Sequence, residues 1–330
     1  MLTPRENFLE TIRGGKPDRF VKQFEFFPMP YSDPWNATNP FPWEPGAPDC
    51  VDFWGVTWTW PEGTPGAFPR HGDGFTVLED VEEWKGRVKC PPLEYSDELW
   101  EAAKKDYASY DRSQVLVGPT MFPGLFETTH NLMGIENAMV SFYTNPDEMH
   151  GLIDYFVEWE MAYVKQMAKH LHPDCVLHHD DWGSSRSTFL SPEMFKDFYL
   201  EPYKKLYKCY KDNGFEVIIH HSDSYAASYV PFMIEMGIDV WQGGTEHNDI
   251  PALVKKYGGQ ISFMTGIDNS VVDKADWTRE EVAAVVRKMC TSCGKLYFSP
   301  YQTAGMPTST YEGVYEAINE ELDKMSAEMF

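Results

Sequence analysis

Short apolar runs alternate with longer helical patterns over most of this chain, and most of the later runs end in a cluster of polar side chains. The runs fall at 21–27, 115–118, 175–177, 217–219, 238–241, 261–264 and 296–298. Each reads as a buried strand. Between them lie helix signals: Asn145 before Pro146, Ser191 before Pro192, and the Thr278/Glu281 capping box, with Gly14, Gly214, Gly237 and Gly294 as stops. Strands separated by helical crossovers predict a parallel sheet. An open doubly wound sheet would carry a glycine-rich phosphate loop after its first strand. Here the first run leads only into prolines, so the expected fold is α/β, a closed (β/α)8 TIM-type barrel spanning residues 1–330 as one domain.

One stretch breaks the rhythm. Residues 28–69 hold ten prolines and five tryptophans, Trp35, Trp43, Trp54, Trp58 and Trp60. That is too aromatic for a disordered linker. Residues 28–75 are therefore expected to form an inserted segment, acting either as a lid over a binding site or as a subunit interface.

In a barrel all strand ends converge on one face, and that face carries catalysis. The clusters that would meet there are His178-His179-Asp180-Asp181-Trp182, His220-His221-Ser222-Asp223-Ser224-Tyr225, Gln242 to His247, Thr265 to Asn269, and Ser299 to Thr303. Imidazole and carboxylate together are ordinary zinc ligands, and three of them with one open position make a catalytic site. His221 and Asp223 lie two residues apart and point the same way in an extended segment. They are the first metal candidates, with Glu246 or Asp181 as a third. His179, Tyr225 and Asp181 are candidate catalytic groups. Phe122, Phe126, His130, Met133, Trp182, Tyr225, Trp241 and Met264 are candidate walls of a pocket for a flat aromatic ligand; the same residues could equally be core, and a polar network closing the barrel without metal is the competing reading of the cluster. Which of His220 and His221 faces the site stays open.

Composition bounds the partners. With 51 acidic and 28 basic residues the net charge is −23, which argues against nucleic acid and anionic membranes as ligands. No apolar run is long enough to span a membrane, no leader-like segment opens the chain, and six scattered cysteines fit a reducing compartment, so a cytoplasmic location is expected. Cys290 and Cys293 form a single CxxC, without the second pair a structural zinc site needs, at the helix end away from the clusters.

The opening Thr3-Pro-Arg-Glu-Asn-Phe-Leu-Glu-Thr-Ile-Arg-Gly-Gly-Lys-Pro-Asp-Arg, together with His178-His-Asp-Asp-Trp-Gly, His220-His-Ser-Asp-Ser-Tyr and Gly266-Ile-Asp, resembles the uroporphyrinogen-decarboxylase superfamily over nearly the whole chain. Within it, the chain is most similar to the veratrol:corrinoid-protein methyltransferases, the first component of anaerobic O-demethylase systems. The resemblance implies transfer of a methyl group from a small methoxylated aromatic substrate to the Co(I) of a corrinoid protein. It also implies a zinc site and a homodimer. That branch carries a His-x-Cys zinc motif, matched here by His221-Ser222-Asp223 with Asp for Cys, and a later Cys that is missing around Tyr301 and Gln302. A harder His/Asp/Glu set suits an ether oxygen better than a thiol. The chain shows no corrinoid-binding motif, so the corrinoid would arrive on the partner. Decarboxylases of the superfamily carry an Arg-rich segment after the first strand; residues 26–33 contain no arginine. A decarboxylase or lyase of the same superfamily, and a binding paralogue without catalysis, are the alternatives.

Overall fold

The computed structural model describes residues 1–64, 66–72, 74–303 and 309–330. Two sheets form among these residues. The Trp-rich segment folds into a small antiparallel meander, β1 (Cys50–Val51), β2 (Thr57–Thr59) and β3 (Phe68–Pro69). The later apolar runs become β4 (Thr120–Met121), β5 (Cys175–His179), β6 (Val217–His221), β7 (Val240–Gln242), β8 (Ser262–Ile267) and β9 (Phe298–Gln302), all parallel and neighbouring in chain order. Helices return the chain between them, the longest being Pro146–Leu171. Parallel strands paired in sequence order with helical crossovers make a TIM-type barrel.

Side-chain alternation sorts the strands into two layers. Cys175, Leu177, Val217, Ile219, Val240, Met264 and Tyr301 fill the inside of the ring. Val176, Ile218, Trp241, Phe263 and Phe298 pack outward under the helices. Strands buried on both faces need no polar alternation, which is why they read as continuous apolar runs. The N-terminal helix Pro4–Ile12, started by the Thr3/Glu6 capping box, places Phe8 in the inner layer, stacked 3.6 Å from Phe26.

Two expected strands differ. Residues 21–27 form turns with Phe24 at φ 56°, not a ladder strand. They still close the ring: Leu116 N–H donates to Phe26 O at 2.7 Å, Phe24 N–H to Tyr301 Oη at 3.0 Å, and Gln302 N–H to Gln23 Oε1 at 3.0 Å. The run at 115–118 is extended but unassigned, and the ladder starts at Thr120. Gly118 allows this approach, since a Cβ there would sit 1.7 Å from Cys175 O. The remaining strands run one to four residues past their predicted ends, so His179, His221 and Gln242 are themselves ladder residues.

The Trp-rich segment is packed against the barrel. Trp35 and Trp54 are buried edge-on to Trp159 of the long helix, at 5.6 and 5.3 Å. Trp43 stays 60% exposed. Among the described residues no helix is long and apolar enough to cross a membrane. All six cysteines are free thiols, and Cys290 and Cys293 lie at the end of the helix Arg279–Cys293 that leads into β9.

Candidate active site

Strand alternation decides which histidine of each pair faces inward. In β5 and β6 the register pairs His178 with His220 and His179 with His221. His178 and His220 point outward. His178 Nε2 meets Glu160 at 3.1 Å, and His220 lies against Tyr207 Oη at 2.8 Å and stacks on Trp182 at 3.9 Å. His179 and His221 point into the barrel mouth and stack on each other at 4.4 Å.

Around this inner pair lies the group His179, Asp181 and His221, whose ligand atoms all fall within 4.8 Å of one another. Asp181 accepts the backbone N–H of Asp223 at 2.9 Å, which brings the Asp223 carboxyl to the same mouth. His179 Nδ1 pairs with Glu127 at 2.9 Å. His221 Nδ1 donates to Gln242 Oε1. Each ring thus has Nδ1 engaged by an oxygen and Nε2 left as the other nitrogen, the arrangement seen around metal-binding imidazoles. Two imidazoles and a carboxylate match a catalytic zinc set, and by the chemistry of the donors these residues fit such an ion.

Electrostatics separates the two rings. Burial works against charge on His179, but Glu127, Asp181 and Asp223 outweigh it and raise the imidazole to about 10. Burial and then the His179 charge lower His221 to about 4, leaving it neutral. Burial raises Glu127 to about 7. Desolvation in the concave mouth, followed by the Asp181 charge, raises Asp223 to about 8.

Glu127 is held by a tertiary helix cap. It lies in the first turn of the helix Leu125–Met133, whose preceding Gly124 offers no side-chain cap. Asp180 supplies it instead, accepting from Phe126 N–H at 2.9 Å and Glu127 N–H at 2.7 Å, and also from Trp182 Nε1 at 2.9 Å and from Tyr203 Oη. A Cβ on Gly124 would sit 2.4 Å from Asp180 Cβ, so the close approach needs glycine. Burial raises the Asp180 pKa and the donors oppose that rise.

The other expected residues are dispersed. Phe122 meets His179 edge-on at 4.8 Å. His130, lowered to about 4 by burial and then by His71, sits one turn beyond Glu127 on the same helix. Tyr225 joins the rim through its backbone N–H to Ser184 O at 2.8 Å. Glu246, expected as a ligand, is exposed and lies outside the His179–Asp181–His221 group; its N–H donates to Asp268 at 3.0 Å. Trp182, Trp241 and Met264, expected as pocket walls, are core instead, each at most 1% exposed. Trp182 and Trp241 face the helix layer and Met264 fills the ring interior. Phe126 and Met133 are buried too.

Glu127, Asp180 in its capping role, and Gln242 as the His221 partner are the residues sequence reading missed. The signal for Glu127 was present: Thr120 to Glu127 is another strand followed by a polar residue, hidden because the strand is expected at 115–118 and forms at Thr120–Met121.

A model of the family described as uroporphyrinogen decarboxylase (URO-D) matches residues 66–300. A methyltransferase from Methanosarcina mazei superposes with a TM-score of 0.67 at 14% identity, covering 98% of this chain and 99% of that one, a likeness of fold. A sugar phosphate isomerase/epimerase from Parabacteroides distasonis is far looser, with a TM-score of 0.37 at 11% identity over 68% of this chain and 75% of the other. No curated protein matches the sequence. Together, the family match over most of the length and the barrel's strand-end site place the chain in the uroporphyrinogen decarboxylase family.

Proposed function

We propose that the protein is a methyltransferase that takes a methyl group from a methoxylated aromatic compound and delivers it to the Co(I) of a corrinoid protein. The observation that carries this reading is the His179–Asp181–His221 group lying beside an aromatic wall. Phe122 contacts His179 on one side and Phe41 and Trp58 of the Trp-rich segment on the other, at 5.9 and 5.7 Å. That segment, residues 28–75, would then serve as a lid over a flat substrate.

In the transfer the O–CH3 bond breaks and its electron pair stays on the oxygen, while Co(I) supplies the pair for the new bond to carbon. The leaving phenolate is poor unless its charge is neutralised. His179, cationic and oriented by Glu127, is placed to donate a proton or a hydrogen bond at that oxygen. Neutral His221, fixed by Gln242, orients the opposite side of the mouth. Were zinc held by His179, Asp181 and His221, His179 would serve as a neutral ligand rather than a proton donor, and the ion would take over stabilisation of the developing charge as a Lewis acid. Phe122 and the lid aromatics would position the ring and exclude water, and orientation of this kind contributes ~7–11 kcal/mol.

The site disfavours the superfamily's decarboxylation of a polyanionic porphyrinogen. Glu127, Asp181 and Asp223 stand at the mouth, and residues 26–33 offer no arginine to hold substrate carboxylates.

The test is incubation with 1,2-dimethoxybenzene and a reduced corrinoid protein, followed by the absorbance of the methylated corrinoid, with elemental analysis of the purified protein alongside. Transfer is expected, with His221→Ala reducing it at least ~100-fold. Undiminished transfer by His221→Ala would remove the site assignment, and absence of transfer by the unaltered protein would remove the function.

A further inference from the structure

Two tyrosine hydroxyls grip the short helix that carries Glu127. The first N–H groups of a helix have no partner within it. In Leu125–Met133 the ladder begins at Thr128 N–H, which donates to Gly124 O at 2.8 Å. The three amides before it are answered from outside. Leu125 N–H donates to Tyr203 Oη at 3.1 Å, and Phe126 and Glu127 N–H donate to Asp180. Tyr203 Oη in turn donates its own proton to Asp180, so one hydroxyl ties the carboxylate to the helix start. One turn further on, Thr129 Oγ1 commits its proton to Leu125 O at 2.8 Å, and Tyr199 Oη donates to that Oγ1 at 3.1 Å. Tyr199 and Tyr203 are fully buried.

The tyrosines reach this helix because their own helix changes pitch. Lys196–Leu200 form a π-turn between Pro192–Phe195 and Glu201–Asp212. Side chains four apart on an α-helix drift by about 40° around its axis at each step. The extra residue in a π-turn turns the stripe back. Phe195, Tyr199, Tyr203 and Tyr207 thus share one face, with neighbouring rings 5.7, 6.4 and 5.2 Å apart. We propose that Tyr203 is a positioning residue: its hydroxyl locks the first turn of Leu125–Met133 to Asp180, and that lock keeps the Glu127 carboxyl on His179. The consequence for rate rests on the methyl-transfer reading above. The lock acts alike whether His179 serves as proton donor or as metal ligand, because Glu127 engages only Nδ1.

The test compares Tyr203→Phe with Tyr210→Phe in the full chain. Tyr210 is equally buried on the same helix, but its hydroxyl donates to Glu160 at 2.6 Å, away from the mouth. Transfer from 1,2-dimethoxybenzene to a reduced corrinoid protein is measured alongside the far-downfield proton resonance of His179 Nδ1–H, assigned by its loss in Glu127→Gln. Tyr203→Phe should lower kcat ~10–100-fold with KM unchanged and weaken or abolish that resonance. Tyr210→Phe should keep both. An intact resonance in Tyr203→Phe overturns the proposal whatever the rate does, and so does an equal loss of kcat in Tyr210→Phe. If the unaltered protein transfers no methyl group, the proposed function falls, and the resonance alone decides the positioning role. Should Tyr203→Phe not fold, Tyr199→Phe, which releases the same helix at Thr129, is expected to weaken the resonance, and an unchanged signal there overturns the proposal.

Discussion

At the scale of single residues, the mouth of this barrel separates adjacent histidines by environment alone. His179 and His221 stack within 4.4 Å, yet one is driven cationic by carboxylates and the other neutral by burial. His130 offers a cleaner reading of the same physics, since it lies outside the candidate metal group. Its folded value near 4 lies below the ordinary 6.5, so the unfolded chain takes up the proton first as the pH falls. The stability tied to neutral His130 is therefore whole above about pH 6.5, declines as the pH drops toward 4, and declines no further below that. Urea unfolding between pH 7 and 4.5 should show His130→Gln losing less stability on acidification than the unaltered protein, by ~1–3 kcal/mol. Parallel curves for the two proteins would contradict this assignment.

At the scale of elements, the short helix Leu125–Met133 is aimed by a carboxylate from another strand end. Asp180 closes two of its open N–H groups, and through them fixes Glu127 against His179. Asp180→Ala would leave those amides, the Trp182 indole N–H and the Tyr203 hydroxyl without their acceptor. At ~1–3 kcal/mol for each buried donor left unpaired, we expect a loss of ~3 kcal/mol or more, read by denaturant midpoint. Hydrogen exchange at Phe126 and Glu127 should accelerate before the rest of the barrel, because the helix end frays locally. This cap shows what a linear reading misses. A Gly before the helix and an Asp 56 residues later carry no local sign that they belong together. The strand before that helix was displaced for a related reason: Val115 to Val117 are more apolar than Thr120, but the ladder forms where Gly118 lets the chain approach Cys175.

At the scale of the molecule, the barrel is closed by parts that do not look like strands. Residues 21–27 bridge β9 and the stretch before β4 through single hydrogen bonds, and Phe8 fills the ring interior beneath them. Closure should therefore depend on packing at this seam. Phe8→Ala is expected to cost ~3–5 kcal/mol, measured by urea unfolding, because the stacked Phe26 and the ring of aliphatic side chains cannot collapse into the space. A loss below ~1 kcal/mol would mean that the N-terminal helix does not contribute to closure.

The sequence by itself determined the alternation of strands and helices, and with it the barrel and the face on which His179, Asp181, His221 and Asp223 would gather, because burial periodicity and helix caps are local properties. It also marked residues 28–75 as too aromatic for a disordered linker, an inserted lid or interface segment. The tertiary structure alone decided that His221 rather than His220 turns inward, that Glu127 and Gln242 engage the two imidazoles, that Glu246 stays outside, and that Trp182, Trp241 and Met264 belong to the core. Those outcomes depend on ladder register and on groups far apart in the chain arriving at hydrogen-bonding distance, and neither is encoded in the spacing of neighbouring residues.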